Sequence, residues 1–373
     1  MEICKHLETF LTYFMKNKTI ACLFFLLFSS INNILLAQDS TLRWSQQKAW
    51  NWYNSQPWYC GFNYIPAYAI NYTAMWDKTS FDPVAIGKEL TLAQADGMNV
   101  LRAVLQYAVY ADDPAYFLKT LDTFMGICAK HKIKFVPALF DDCVFGINSD
   151  PKIGKQPEPL KGWYAWAWSP SPGHSMVVDS TTYPKLEHYV TAVISRFKND
   201  DRILLWDLYN EPTNGGLGTT TLPLLKRVIA AARKVHPSQP LTVDVWNNNK
   251  RLNDIALAAS DIITFHNYGN KNDLVKMIND LKQYNRPLIC TEWMNRPNRS
   301  VIADNLPIFY NEKVGCMLWG LVNGKTQTDL PWGHRPGDPP PAVWQHDLYK
   351  PDFTPYRQPE IDSIRLYTLE KVK

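Results

Sequence analysis

The sequence predicts an α/β fold, a single-domain (β/α)8 TIM barrel, on three observations. Eight short apolar runs recur from Tyr59 onward, and each is followed by a stretch of helical periodicity. No Gly-rich dinucleotide turn interrupts the series, which argues against a doubly wound sheet. Continuous apolar runs of this length suit strands buried on both faces, as in a parallel sheet.

The first run, residues 60–64, leads to Asp82-Pro83, an N-cap followed by proline at the first helical position. The second, 99–105, leads to the same signature at Asp113-Pro114. After it Phe117, Leu118, Leu121, Phe124, Met125 and Cys128 repeat at helical spacing. The third, 134–140, is parted from its helix by a long connection from Asp141 to Tyr183. Leu186, Tyr189, Val190, Val193, Ile194 and Phe197 then mark that helix. The fourth, 203–208, precedes a helix over 222–235, and the fifth, 240–246, a short one near 252–259. Runs 262–266 and 287–291 lead to helices over 272–284 and 301–310. The eighth, 314–321, is followed by a second long connection, Asn323 to about Arg357, and a helix over 360–369. The two long connections are rich in aromatics: Trp163, Trp166 and Trp168 in one, Trp332, His334, Trp344 and His346 in the other. Loops that follow barrel strands lie on the face where function resides.

The chain has 373 residues, 46% of them hydrophobic, and a net charge of +4. That is ample for a large core, and the scattered Lys and Arg exclude a nucleic-acid partner. Met15-Lys16-Asn17-Lys18 is a basic start to a mostly apolar stretch over 20–36, and Ala37 precedes the polar Gln38-Asp39-Ser40. Residues 1–37 therefore read as a signal peptide starting at Met15, with the catalytic domain over 38–373. The expectation is an exported protein, periplasmic, cell-surface or secreted, with no membrane span left after cleavage. Cys60, Cys128, Cys143, Cys290 and Cys316 remain beyond the leader, an odd number with no CxxC. They are expected as buried thiols, with one disulfide left open. The histidines show no ligand spacing and no phosphate-binding glycine loop follows the eighth run, so no metal or cofactor is expected.

Glu211, in "LLWDLYNEPTN", stands at the carboxyl end of the fourth strand. Glu292, in "PLICTEWMN", stands just after the seventh, 81 residues on, or three barrel units. A glycosidic bond needs both a proton donor and a nucleophile or base, which two convergent carboxyl groups supply. Arg102 ends the second strand and can hold a carboxylate ionised. His266 and Tyr268 end the sixth two residues apart, so they face the same way. Trp319 ends the eighth, where an indole can stack on a sugar ring.

With "WDLYNEP", "CTEWMN", "HNY" and Trp319 the chain resembles clan A of the glycoside hydrolases, nearest the family 5 cellulases and mannanases, over most of its length. The resemblance implies Glu211 as acid/base and Glu292 as nucleophile of a retaining β-glycosidase. It further implies Asn210 on the sugar 2-hydroxyl, Tyr268 and Arg102 orienting Glu292, His266 near Glu211, and Trp319 flooring the reacting subsite. Glu292 is expected ionised, its charge keeping Glu211 protonated. The expected substrate is a plant or algal poly- or oligosaccharide, and the long loops favour exo or short-oligosaccharide action. An endo-acting β-glycanase and a non-catalytic glycan-binding barrel are the alternatives. Asp141-Asp142 and the three Trp of the third-strand loop depart from the common family pattern.

Overall fold

The computed structural model describes residues 43–371, so the expected leader lies outside it. Among the described residues no helix is long and apolar enough to cross a membrane. All eight runs form strands: β1 Cys60–Asn63, β2 Val100–Val104, β3 Lys134–Ala138, β4 Trp206–Asp207, β5 Leu241–Thr242, β6 Ile263–Asn267, β7 Leu288–Trp293 and β8 Gly315–Trp319. The order β5-β4-β3-β2-β1-β8-β7-β6 is parallel throughout. A parallel bridge from Val245 to Phe265 joins the two ends, so the sheet closes into the predicted (β/α)8 barrel.

A helix follows each strand: α1 Pro83–Ala95, α2 Pro114–Lys130, α3 Tyr183–Phe197, α4 Leu222–Val235, α5 Lys250–Ala259, α6 Lys271–Lys282, α7 Ile302–Asn311 and α8 Gln358–Arg365. The two Asp-Pro signatures act as read. The Asp82 carboxylate accepts from the backbone N–H groups of Val84 and Ala85, and that of Asp113 from Tyr116. Each cap contributes about 1 kcal/mol.

Side chains alternate along each strand between the helix layer and the barrel interior. Tyr59, Val100, Val136, Leu204, Leu205, Ile262, Ile289 and Met317 form their own cluster, separate from the core between strands and helices. The helix Gln46–Asn54 sets Ala49 against that cluster, with Trp52 and Tyr53 beside it. Each buried aliphatic side chain there stabilises by roughly 1.5–3 kcal/mol.

Strand β7 differs from its sequence reading, and the difference builds the site. The apolar run was expected to end at residue 291, with Glu292 beyond it, but the strand continues to Trp293. Phe265 pairs with Cys290 while the next residue, His266, pairs with Glu292, so one extra residue is inserted in β7. The pairing with β8 shifts over the same stretch. Such a bulge re-aims side chains. Here it turns Glu292 inward beside Thr291, although adjacent strand residues ordinarily face opposite ways. Thr291 pins the bulge: its hydroxyl donates to Asp244 Oδ1 (2.7 Å) and its carbonyl accepts from Asn63 Nδ2 (2.7 Å).

Candidate active site

Above the apolar layer the same strands present a layer of charge. Arg102, fully buried on β2, is its centre. Its Nη1 donates to Glu292 Oε1 (2.7 Å) and to Asn63 Oδ1 (3.0 Å). Its Nη2 donates to Asp207 Oδ2 (2.5 Å), Asn210 Oδ1 (2.6 Å) and Asp244 Oδ2 (2.9 Å), and its Nε to Asp207 Oδ2 (2.8 Å). One planar guanidinium thus binds groups on β1, on or just beyond β4 and β5, and on β7 at once, which a lysine ammonium could not span. Three carboxylates around one buried cation exceed it in charge. Burial, with the charge of Asp244 adding to it, pushes Asp207 up to about 8. Burial opposes ionisation of Asp244 as well, but His266 and Arg102 outweigh it and hold that group well below the usual carboxylate range.

The seven residues singled out from sequence converge. Tyr268 donates its hydroxyl to Glu292 Oε2 (2.6 Å), so both Glu292 oxygens are held by donors. His266 Nδ1 lies 2.8 Å from Glu211 Oε1 and 3.5 Å from Glu292 Oε2. One ligand atom from each of Glu211, His266 and Glu292 lies within 4.8 Å of the others. Inverting chemistry needs roughly 6.5–9.5 Å between carboxyl groups to seat a water, whereas retaining chemistry needs about 5–5.5 Å; the spacing fits the second. It also falls in the range of a cation's ligand shell. The Arg102 charge 2.7 Å from Glu292 opposes a second cation there.

Asn210 is oriented at both ends, its Oδ1 by Arg102 and its Nδ2 donating to Asp141 Oδ1 (2.7 Å). Asp141 Oδ2 in turn accepts from Trp168 Nε1 (2.9 Å), and the Trp168 ring lies 5.9 Å from that of Trp319. Trp319 is stacked on His346 (5.7 Å between centroids) and lines the cavity. Glu211 adopts a left-handed backbone, φ 39°, which a non-glycine residue rarely does. Its Oε2 accepts from Asn214 Nδ2 (2.5 Å) and from the Cys143 thiol (3.3 Å). A strained backbone held by several partners is a common property of working groups.

The protonation pattern corrects one expectation. Glu292 was expected to be the group that keeps Glu211 protonated. Burial does raise Glu211, but the hydrogen bond to His266 and the imidazole's charge outweigh it, and the group falls below its ordinary value. Burial lowers His266, yet the charges of Glu292 and Asp244 carry it well above its ordinary value. Burial raises Glu292, and the Glu211 charge adds to this against His266 and Arg102. These directions favour charged His266 beside ionised Glu211, the opposite of a Glu211 held protonated by Glu292.

The cavity over these groups holds about 380 Å³; Glu211, Glu292, Asn210, Asn214, His266, Tyr268, Cys143 and Trp319 line it together with Tyr72, Val104, Phe145, Tyr164, Trp168, Trp246 and Trp332. Sequence reading missed Asp207, Asp244, Asn63, Asn214 and Cys143. For two of them a signal existed: Asp207 and Asp244 each interrupt an apolar strand run, where an unpaired charge is not tolerated. Among the described residues Cys60, Cys128, Cys143, Cys290 and Cys316 are all buried free thiols.

Comparison with known proteins agrees with this geometry. The profile of the cellulase family, glycosyl hydrolase family 5, matches residues 67–325. No curated protein matches the chain. Among solved structures, it is similar to an exo-β-1,4-mannosidase from Opitutaceae bacterium strain TAV5 (TM-score 0.56, 15% identity), covering 85% of this chain and 60% of that one. This chain thus spans about three fifths of that enzyme's length. It is also similar to an endo-β-1,4-mannanase from Thermotoga petrophila (TM-score 0.53, 14% identity, 85% of this chain and 77% of that one). A third is a xyloglucan-specific endo-β-1,4-glucanase from a metagenomic library (TM-score 0.52, 12% identity, 86% and 99%).

Proposed function

The chain belongs to glycosyl hydrolase family 5, and from that premise we propose that it is a retaining β-glycoside hydrolase acting at the ends of oligo- or polysaccharides. The observation that carries the reading is the Glu211–His266–Glu292 cluster within 4.8 Å, with Arg102 and Tyr268 on the Glu292 oxygens. Glu292 attacks the anomeric carbon, and Glu211 delivers a proton to the leaving oxygen. The glycosyl ester that forms removes the Glu292 charge. Glu211, then ionised, accepts a proton from the water that releases the sugar. His266 holds that proton in the free enzyme and passes it along the 2.8 Å contact to Glu211 when substrate excludes water.

End-directed action rests on the two long loops, which are knitted to each other. Gly162 N donates to Gln327 Oε1 (3.0 Å), Ala165 N to the Thr326 carbonyl (3.1 Å) and Tyr164 N to the His334 carbonyl (3.2 Å). Arg335 lies over the Trp163 ring at 4.6 Å. Tyr164 and Trp168 from the first loop and Trp332 from the second reach the cavity, so the seam walls one side of it. Both exo- and endo-acting names occur among similar structures, so the reading of end-directed action is carried by this chain's own loops.

A panel of aryl β-glucosides, mannosides, galactosides and xylosides tests the activity, with product analysis on plant and algal polysaccharides. A 2-deoxy-2-fluoro glycoside of the accepted sugar is expected to label the peptide that contains Glu292. No turnover on any member of the panel would favour a non-catalytic glycan-binding barrel. Release of mixed internal fragments from a polysaccharide would reject end-directed action. We propose further that the protein acts outside the cytoplasm, from the basic and apolar segment over 15–37; its mature N-terminus in cell fractions tests this.

A further inference from the structure

Asp244 follows β5, is fully buried and does not itself line the cavity. Its Oδ2 accepts from Arg102 Nη2 (2.9 Å), its Oδ1 from the Thr291 hydroxyl (2.7 Å), and His266 Nε2 stands 3.3 Å from Oδ2. That nitrogen has no aligned hydrogen-bond partner among the described residues. An ionised carboxylate only accepts. A bare Nε2 lone pair pointed at it would be repelled, whereas an Nε2–H is attracted. We infer that Asp244 is a positioning residue that fixes the proton on His266 Nε2, so that Nδ1 is left to exchange the catalytic proton with Glu211.

The inference rests on the glycosidase reading for its kinetic consequence, while its structural content is independent of it. The imidazole meets charge from three sides. Glu211 beyond β4 lies at 2.8 Å, Asp244 beyond β5 at 3.3 Å and Glu292 on β7 at 3.5 Å. Behind them Arg102 on β2 contacts Asp244, Glu292 and Asp207 on β4. With Nε2 protonated in every state, the Glu211–His266 pair gains or loses a single proton on the line between Oε1 and Nδ1. The negative charge of Asp244 favours the protonated pair. Its removal lowers the pH at which the pair loses that proton. Asp244 also ties the acid/base side of the site to the nucleophile side, because it contacts both Arg102 and the Thr291 bulge beside Glu292.

Asp244→Asn tests the role through leaving-group dependence, using phenyl and 2,4-dinitrophenyl β-glycosides of the sugar that the wild-type enzyme accepts. Only the phenyl glycoside needs full protonation of the leaving oxygen. The variant is expected to lose at least ~10-fold more kcat/KM on phenyl than on dinitrophenyl glycoside. The basic limb of its pH profile is expected to fall by about 1 unit or more, the scale of removing a charge at this distance. Equal losses on both substrates with an unmoved basic limb would overturn the inference and leave Asp244 as a scaffold for Arg102. A second measurement needs neither the variant nor a substrate. In wild-type protein labelled with ¹⁵N-histidine, His266 is assigned by the signal lost in His266→Gln. Its Nε2 is expected to be protonated across neutral pH, and an unprotonated Nε2 would overturn the inference whether or not the protein proves to be a glycosidase.

Discussion

Val100 and Arg102, Leu205 and Asp207, and Ile289 and Thr291 each lie two positions apart, and all six are buried in or next to the same strands. Yet the two layers hold together for opposite reasons. In the lower one, apolar area leaves water and the side chains fill the barrel. In the upper one, burial opposes every charge, and the mutual contacts of Arg102, Asp207, Asp244, His266 and Glu292, with hydrogen bonds from neutral neighbours, offset it. Equal dryness therefore says nothing about role. What distinguishes the working layer is that its stability depends on charges placed against one another, the arrangement that lets a proton or a covalent bond be made there.

The comparison breaks most sharply at Glu292. Glu292→Gln keeps the volume and removes the nucleophile. It is expected to lower kcat by on the order of 10⁴–10⁶-fold on any accepted aryl glycoside, with the melting temperature unchanged or raised because a buried charge is gone. A variant retaining a tenth of wild-type activity would remove Glu292 from the mechanism.

Arg102→Met comes next. It leaves Asp207 without its cationic partner and Asp244 and Glu292 with His266 alone, and it is expected to destabilise by roughly 3–5 kcal/mol in denaturant unfolding. Arg102→Lys should recover little, since an ammonium cannot bridge the same set of acceptors. Full stability in Arg102→Met would mean that the upper layer is not held by compensated charge.

Ile289→Ala sits two residues below Thr291 and probes the lower layer. A loss of about 2–5 kcal/mol is expected from the cavity it opens, with kcat within twofold of wild type. If kcat fell by tenfold or more, the layers would not be separable, and the lower one would be positioning Glu292 through β7.

The smallest effect is the pH dependence of stability. Folded Asp207, at about 8, binds its proton far more tightly than an unfolded aspartate near ~3.9. Its contribution is fully present below the unfolded value and is lost as pH rises through about 8. The melting temperature should fall between pH 6 and 9, and Asp207→Asn should flatten part of that slope. Glu89, buried outside the barrel and pushed up to about 7, adds to it with the same sign. The lower layer adds nothing in this range, because its titratable member, Tyr59, is shifted upward by burial.

Much of the site was legible because sequence order and barrel geometry coincide. A polar or aromatic residue where an apolar run stops lies at a strand's carboxyl end, which placed Glu211, His266 and Trp319; Arg102, expected to end the second strand, is instead the middle residue of β2. Glu292 was recognised for the same reason, although its position relative to the strand was misjudged. A bulge is one residue of slippage between neighbouring strands, and nothing local in "PLICTEWMN" marks it. Asp207 and Asp244 were passed over because a strand's hydrophobic average hides a single charge. What makes those carboxylates tolerable is Arg102, more than 100 residues earlier.

By itself the sequence determined the eightfold alternation of strand and helix, the Asp-Pro helix starts, and the pair of glutamates at the mouth of the barrel. Those properties depend on local periodicity and on distance counted in barrel units. Tertiary structure alone decided that Glu292 faces inward, that the two long loops are sewn into one wall, and that His266 stands between Glu211 and Asp244. Each of these depends on the distance between groups remote in the chain, and electrostatic and hydrogen-bond energies in a dry interior change steeply with that distance.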